Sequence, residues 1–248
     1  MLKKNKILSS ILFFILFCGC TPIQAQSIKN PPTKSFVKIF HTIQIFSCVD
    51  KKDKKCPIGT RYSSGSGMAI KILNDIPTVI TAGHVCDVGP SEKIEKYIQT
   101  VEVLDHNSTI HQAWPLLISH NDSNGKPDAC LLFVPTLKVK LIKIEKRKPT
   151  IGEDLYYIGA PAGIYSPPNP LMFKGVFSGD LNGSTAQITV PATGGSSGAA
   201  VLNLKNNIVG IIWGTNLRFN HATVMTSHKS FMEFIKNGKQ RLLSFSKK

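Results

Sequence analysis

The chain is written as short runs of β-branched and aromatic residues, each closed by Gly, Pro, Asn or Asp, and this punctuation most limits its fold. Such runs lie at 66–72, 77–81, 97–104 and 129–134, and again at 154–159, 171–177, 186–190, 199–202 and 207–213. Their length and composition predict strands. The 19 Gly and 15 Pro follow no period, which excludes a coiled coil or collagen and predicts many turns. One helix is predicted over 227–236, where Phe231, Phe234 and Ile235 fall at helical spacing. Between the two groups of strands, residues 137–148 alternate apolar and basic side chains before Pro149, as an exposed connector or edge strand kept soluble by Lys would. Two β-units are expected, over 36–137 and 151–240. A basic connector over 138–150 joins them, a Pro-rich spacer at 26–35 precedes them, and a basic tail at 241–248 follows.

The first residues are an address. Lys3, Lys4 and Lys6 precede an apolar run over 7–17, too short to span a bilayer but matched to an export signal. The signal takes up residues 1–25, and two ways of processing it stand. Leu16-Phe17-Cys18-Gly19-Cys20 resembles the bacterial lipobox, which implies lipidation of Cys20 and anchoring at the cell envelope or periplasmic face. Cleavage after Ala25 instead gives a secreted protein. Of six Cys, four then belong to the domain: Cys48, Cys56, Cys86 and Cys130. In an exported protein they read as two disulfides with three connectivities. Cys48 and Cys56 flank a polar loop suited to a local bridge, which leaves Cys86 for Cys130. With no CxxC pair, and His84 only two residues from Cys86, no metal or other cofactor is expected.

An apolar share of 42% with 18% charged residues excludes disorder. The 30 Lys+Arg against 15 Asp+Glu give +15, three units of which leave with the signal. No nucleic-acid motif and no interleaving of aromatic with basic residues accompanies that charge, so a nucleic-acid partner is not expected. A solvated basic surface near an anionic envelope is.

Three local patterns carry chemistry. Thr81-Ala82-Gly83-His84 ends a β-branched run in small residues and a His. Asp128 stands at the mouth of the apolar strand Ala129-Cys130-Leu131-Leu132, where its carboxylate needs donors such as an imidazole N–H. Thr193-Gly194-Gly195-Ser196-Ser197-Gly198 packs glycines around two serines, so backbone N–H groups can converge on an oxyanion while a serine attacks. In this order the three resemble the trypsin-like (chymotrypsin-fold) serine peptidases over residues 60–235.

The resemblance implies two six-stranded antiparallel β-barrels packed together, with a C-terminal helix. It implies His84 as general base, Asp128 as its orienting acid and Ser197 as nucleophile, with the N–H groups of Gly195 and Ser197 as oxyanion hole. Ser196 is the rival nucleophile, and the Gly-x-Ser-Gly frame favours Ser197. The substrate pocket would be walled by Pro191, Ala192, Ile212, Trp213 and Gly214. Pro191 replaces the acid that trypsins carry, so an apolar, small or medium P1 side chain is expected; His221 keeps a Glu preference open. Ser196 also replaces the Asp that pairs with a new N-terminus on zymogen activation, so the bacterial exported type fits. A monomeric endopeptidase acting on proteins or peptides is expected, the alternatives being an inactive protease-shaped binding protein and an esterase using the same triad.

Overall fold

The computed structural model describes residues 27–50, 58–73, 76–87, 94–121, 125–216 and 218–245. Its described strands close into two antiparallel barrels of six. The first comprises β1 (Phe36–Cys48), β2 (Gly59–Ile70), β3 (Thr78–Thr81), β4 (Ile94–Leu104), β5 (Ile110–Ser119) and β6 (Ala129–Phe133), ordered β1-β2-β3-β6-β5-β4. The second comprises β7 (Asp154–Gly159), β8 (Leu171–Asp180), β9 (Thr185–Thr189), β10 (Ala200–Asn203), β11 (Ile208–Thr215) and β12 (Ala222–Thr226), ordered β10-β11-β12-β9-β8-β7. Closure leaves no strand edge, and alternate residues fill each interior.

Three of these strands escaped the sequence reading. In β1 the buried Val37, Ile39, His41, Ile43 and Ile45 alternate with more exposed neighbours, but His and Thr dilute the apolar signal. In β5 the run is interrupted by Pro115, whose missing N–H is absorbed by a register shift between Pro115 and Leu117 opposite β6. In β12 small and polar residues outnumber apolar ones.

A single turn, α1 (Gly83–Cys86), follows β3, and the terminal helix α2 runs from His228 to Phe245, well past the predicted residue 236. Gly238 costs a helix interior about 1 kcal/mol. Phe231, Phe234, Ile235 and Leu242 are buried on one face, and each side chain so buried contributes about 1.5–3 kcal/mol. Packing therefore outweighs propensity and carries the helix through.

One core cluster joins the barrels: Phe36, Met68, Ile80 and Leu131 of the first meet Tyr156, Ile158, Ala200 and Ile211 of the second, capped by Phe231 of α2. The connector runs across that junction. Ile142 bridges to Ile70 in β2 and Ile144 to Ile208 in β11, so one extended segment touches both barrels. The residues Ser64-Gly65-Ser66-Gly67 of β2 lie just ahead of the first of these bridges. Cys20 and Cys56, and with them the expected lipidation and the Cys48–Cys56 bridge, lie outside the described residues, as does the export signal.

Candidate active site

The register of β3 against β6 brings the first two candidate residues together. Thr81 is opposite Cys130, so the antiparallel pairing carries Asp128, two residues earlier, alongside the turn that follows Thr81. In that turn Gly83, Val85 and Cys86 are buried while the His84 side chain stays 42% exposed. Asp128 is only 7% exposed. Its Oδ1 accepts the His84 backbone N–H at 3.0 Å, and its Oδ2 lies 2.8 Å from Nδ1 of the ring. A carboxylate only accepts, so Nδ1 carries a proton, and in the neutral ring that leaves Nε2 as the acceptor. Both oxygens are occupied, which offsets the cost of burying the charge.

A disulfide holds the same two segments. Cys86 bonds Cys130, with Cα atoms 6.4 Å apart and a sequence separation of 44. One Cys is two residues beyond His84 and the other two beyond Asp128. Closing a loop of that length stabilises the fold by about 2–4 kcal/mol, and the constraint falls on the two strand ends that set the His–Asp geometry.

The third pattern belongs to the second barrel and reaches back to the first. Gly195 and Gly198 have φ of +90° and +85°, a conformation that a side chain strains. At Gly198 space matters as much. A Cβ there would lie 2.0 Å from Thr81 Oγ1, 2.2 Å from the Ser66 carbonyl oxygen and 2.9 Å from the Ala82 nitrogen. The loop therefore packs its backbone onto the residues just ahead of His84. Ser66 fastens it further, its N–H donating to the Ser197 carbonyl at 2.8 Å and its Oγ to the Gly195 carbonyl at 2.7 Å. Ser66 Oγ also accepts the Ala160 N–H, and Thr81 Oγ1 donates to the Ser66 carbonyl. Ser66 is fully buried and reasoning from sequence gave it no role. The only signal was the Ser64-Gly65-Ser66-Gly67 stretch, which carries no chemistry read alone.

The two serines of the loop differ plainly. Ser196 is 1% exposed; its Oγ accepts the Thr193 N–H at 3.3 Å and lies 3.5 Å from the Tyr157 hydroxyl. Ser197 is half-buried. The backbone amides alternate as well. The N–H groups of Ser196 and Gly198 donate to the Thr193 and Ile212 carbonyls, whereas those of Gly195 and Ser197 meet no acceptor among the described residues. No hydrogen bond joins Ser197 Oγ to His84 among the described residues.

The expected pocket residues fall on three segments tied to one another. The Pro191 carbonyl accepts from Tyr157 Oη at 2.7 Å, the Ala192 N–H donates to Asn220, and Thr223 Oγ1 donates to the Val190 carbonyl. Burial pushes the Tyr157 phenol up to about 12, with Ser196 acting weakly the other way, so it stays a neutral donor. Ile212 turns its side chain into the core of the second barrel and gives its carbonyl to Gly198. Trp213 packs against the interior core cluster of the first barrel, and its Nε1 finds no partner among the described residues. A Cβ on Gly214 would come within 3.9 Å of Val224 Cβ. His221 sits on the exposed turn before β12, its Nδ1 3.0 Å from Asn220 Oδ1 and its ring beside Phe219. No cluster of ligating side chains suited to a metal occurs among the described residues.

Solved structures share this architecture. A serine endoprotease from Yersinia pestis aligns with a TM-score of 0.61 at 17% identity, covering 87% of this chain and 66% of its own. The Rv3671c protease from M. tuberculosis, in its active form, aligns at 0.57 and 16% identity, covering 83% of this chain and 81% of its own. At such identities the likeness concerns the fold. A comparison with curated proteins finds no match. The family model for the trypsin-like peptidase domain matches residues 65–211. That span runs from the glycine beside Ser66 to the strand behind Ser197, and it takes in His84 and Asp128 on the way. By that match, and with two closed barrels beneath it, the chain belongs to the trypsin-like peptidase family.

Proposed function

We propose that the protein is an exported serine endopeptidase that cleaves peptide bonds through Ser197, His84 and Asp128. The observation that carries this is the pairing of a two-point Asp128–His84 contact with a neighbouring serine loop whose Gly195 and Ser197 N–H groups are unspent.

Ser197 Oγ attacks the scissile carbonyl carbon as His84 Nε2 takes its proton. The contact between Ser197 and His84 tightens when substrate fills the site. The carbonyl oxygen, now negative, is received by the two free N–H groups, each contributing about 3 kcal/mol to transition-state stabilisation. His84 then passes the proton to the leaving amine, which leaves an acyl-enzyme on Ser197. Water, deprotonated by His84 in turn, releases the acid and restores the serine. Asp128 stabilises the imidazolium in both halves of the cycle.

Pocket size follows from what lines it. No carboxylate occurs in 189–194, 212–216 or 220–226, and Val224 stands across from Gly214. A small apolar P1 residue such as Ala or Val is expected. Cleavage-site profiling with a peptide library, with Ser197→Ala as control, checks reaction and pocket together. Cuts after small apolar residues by the parent alone support the reading. Cuts after Arg, Lys or Glu overturn the pocket, and equal cleavage by the control overturns the nucleophile.

Export is part of the proposal, supported by Lys3, Lys4 and Lys6 ahead of the apolar run at 7–17. The mass of the mature N-terminus measures it. A lipid-modified Cys20 or a start at Gln26 is expected, and a chain that retains Met1 contradicts it.

A further inference from the structure

We propose that the connector face of the protein docks on an anionic phospholipid bilayer. The alternating residues of 137–148 turn Leu137 and Ile142 into the core and leave Lys138, Lys140 and Lys143 exposed. Two grooves, of about 680 and 590 Å³, run along this segment and share Lys140 and Leu141. The first adds Lys71 and Lys138; the second adds Lys34, Lys143 and Lys205. No Asp or Glu lines either groove.

Three basic groups elsewhere are matched: Arg147 pairs with Glu153, Lys148 with Asp180 and Lys174 with Asp154. Lys34, Lys138, Lys140, Lys143 and Lys205 have no acidic partner among the described residues. The nearby Glu145 is taken up by the Arg147 N–H and by the side chains of Asn207 and Asn203, and these hold its carboxyl down at about 2. These five lysines thus gather along two adjoining grooves that no acid lines, while Lys96 on β4 and Lys229, Lys236 and Lys239 on α2 also lack an acidic partner among the described residues.

The course of the chain says what meets that face. Residues 30–35 form a wall of the second groove. Asn206 Nδ2 donates to the carbonyls of Lys29 and Asn30, and Ser35 Oγ to that of Lys140. The segment that leads from the export signal is therefore fastened to the lysine face. Ten residues from Cys20 to Asn30 reach at most about 35 Å, so an acyl chain on Cys20 would hold this face toward its membrane. No aromatic residue lines the grooves, so single-stranded nucleic acid finds no stacking platform there. Lysines act as point charges for phosphate headgroups, each strengthening adsorption about fivefold. His84, Asp128 and Ser197 line neither groove, so the lysine contacts do not use them.

The test uses mature full-length protein carrying Cys20→Ser, so that no acyl chain contributes, and co-sedimentation with phosphatidylglycerol/phosphatidylcholine vesicles. The parent is expected to bind these at low salt and to ignore pure phosphatidylcholine. Changing Lys138, Lys140, Lys143 and Lys205 to Gln is expected to weaken partitioning at least about 100-fold. Changing Lys96, Lys229, Lys236 and Lys239 to Gln removes the same charge elsewhere and should leave most of the binding. Equal loss in both variants, retained binding by the groove variant, no binding by the parent, or preference for duplex DNA over the vesicles overturns the proposal. Fluorophosphonate labelling at Ser197 in the same samples reports the peptidase reading separately, and its persistence in the groove variant shows that the variant is folded.

Discussion

Ser197→Ala is expected to lower kcat by about 10⁶-fold, whereas Ser196→Ala costs no more than about tenfold. The two serines are adjacent, and the contrast follows from their surroundings. Ser196 is buried, and its hydroxyl serves the loop by accepting the Thr193 N–H beside Tyr157. Losing it removes a hydrogen bond worth about 1 kcal/mol and no reacting group. Ser197 precedes the glycine that presses on Thr81 and Ala82, and its own amide is one of two left without an acceptor among the described residues. Removing its Oγ leaves the oxyanion site and substrate binding, which alone supply only a small residue of the rate. Steady-state rates on the best library peptide, with thermal melting to confirm that both variants fold, measure the contrast.

Asp128→Asn is expected to lower kcat/KM by about 10⁴-fold with little change in melting temperature. The reason lies in the second of its contacts. The His84 backbone N–H needs an acceptor, so the amide oxygen must replace Oδ1. That turns the NH₂ group toward Nδ1, which must then accept. The ring proton is forced onto Nε2, where it blocks uptake of the Ser197 proton. Packing around residue 128 hardly changes, so the loss appears in turnover and not in stability. A pH–rate profile checks the origin, since at high pH water-derived base can assist where His84 cannot. Equal rates for Asn and Asp at neutral pH would remove Asp128 from the triad.

Much of the fold could be read from local pattern. β3, β6 and β7 are apolar runs ended by turn residues, and no other element competes for them. β1, β5 and β12 were hidden because barrel strands need only alternate residues apolar, and His41 or Pro115 is enough to mask the period. The end of α2 was hidden because Gly238 reads as a stop until Leu242 is seen to be buried.

In the candidate site, His84, Asp128 and Ser197 stand out in the sequence because each sits in a short motif of small residues or beside an apolar strand. Their meeting does not, since it depends on the Thr81–Cys130 register and on the approach of Gly198 to Thr81. Ser66 was invisible for the same reason. Its partners lie at residues 160, 195 and 197, and only the packing of two barrels brings them within reach. The expected pocket walls were the least legible part. Ile212 was expected as a wall, yet its side chain belongs to the core, and Val224, which faces Gly214, carries no signal in the sequence.

The most direct measurement is active-site labelling of the purified, folded protein with a fluorophosphonate, read by peptide mass mapping. A stoichiometric adduct on Ser197 is expected, abolished by Ser197→Ala, strongly slowed by His84→Ala and retained by Ser196→Ala. Folded protein that takes up no label, or an adduct on Ser196, would contradict the assignment of Ser197 as an activated nucleophile.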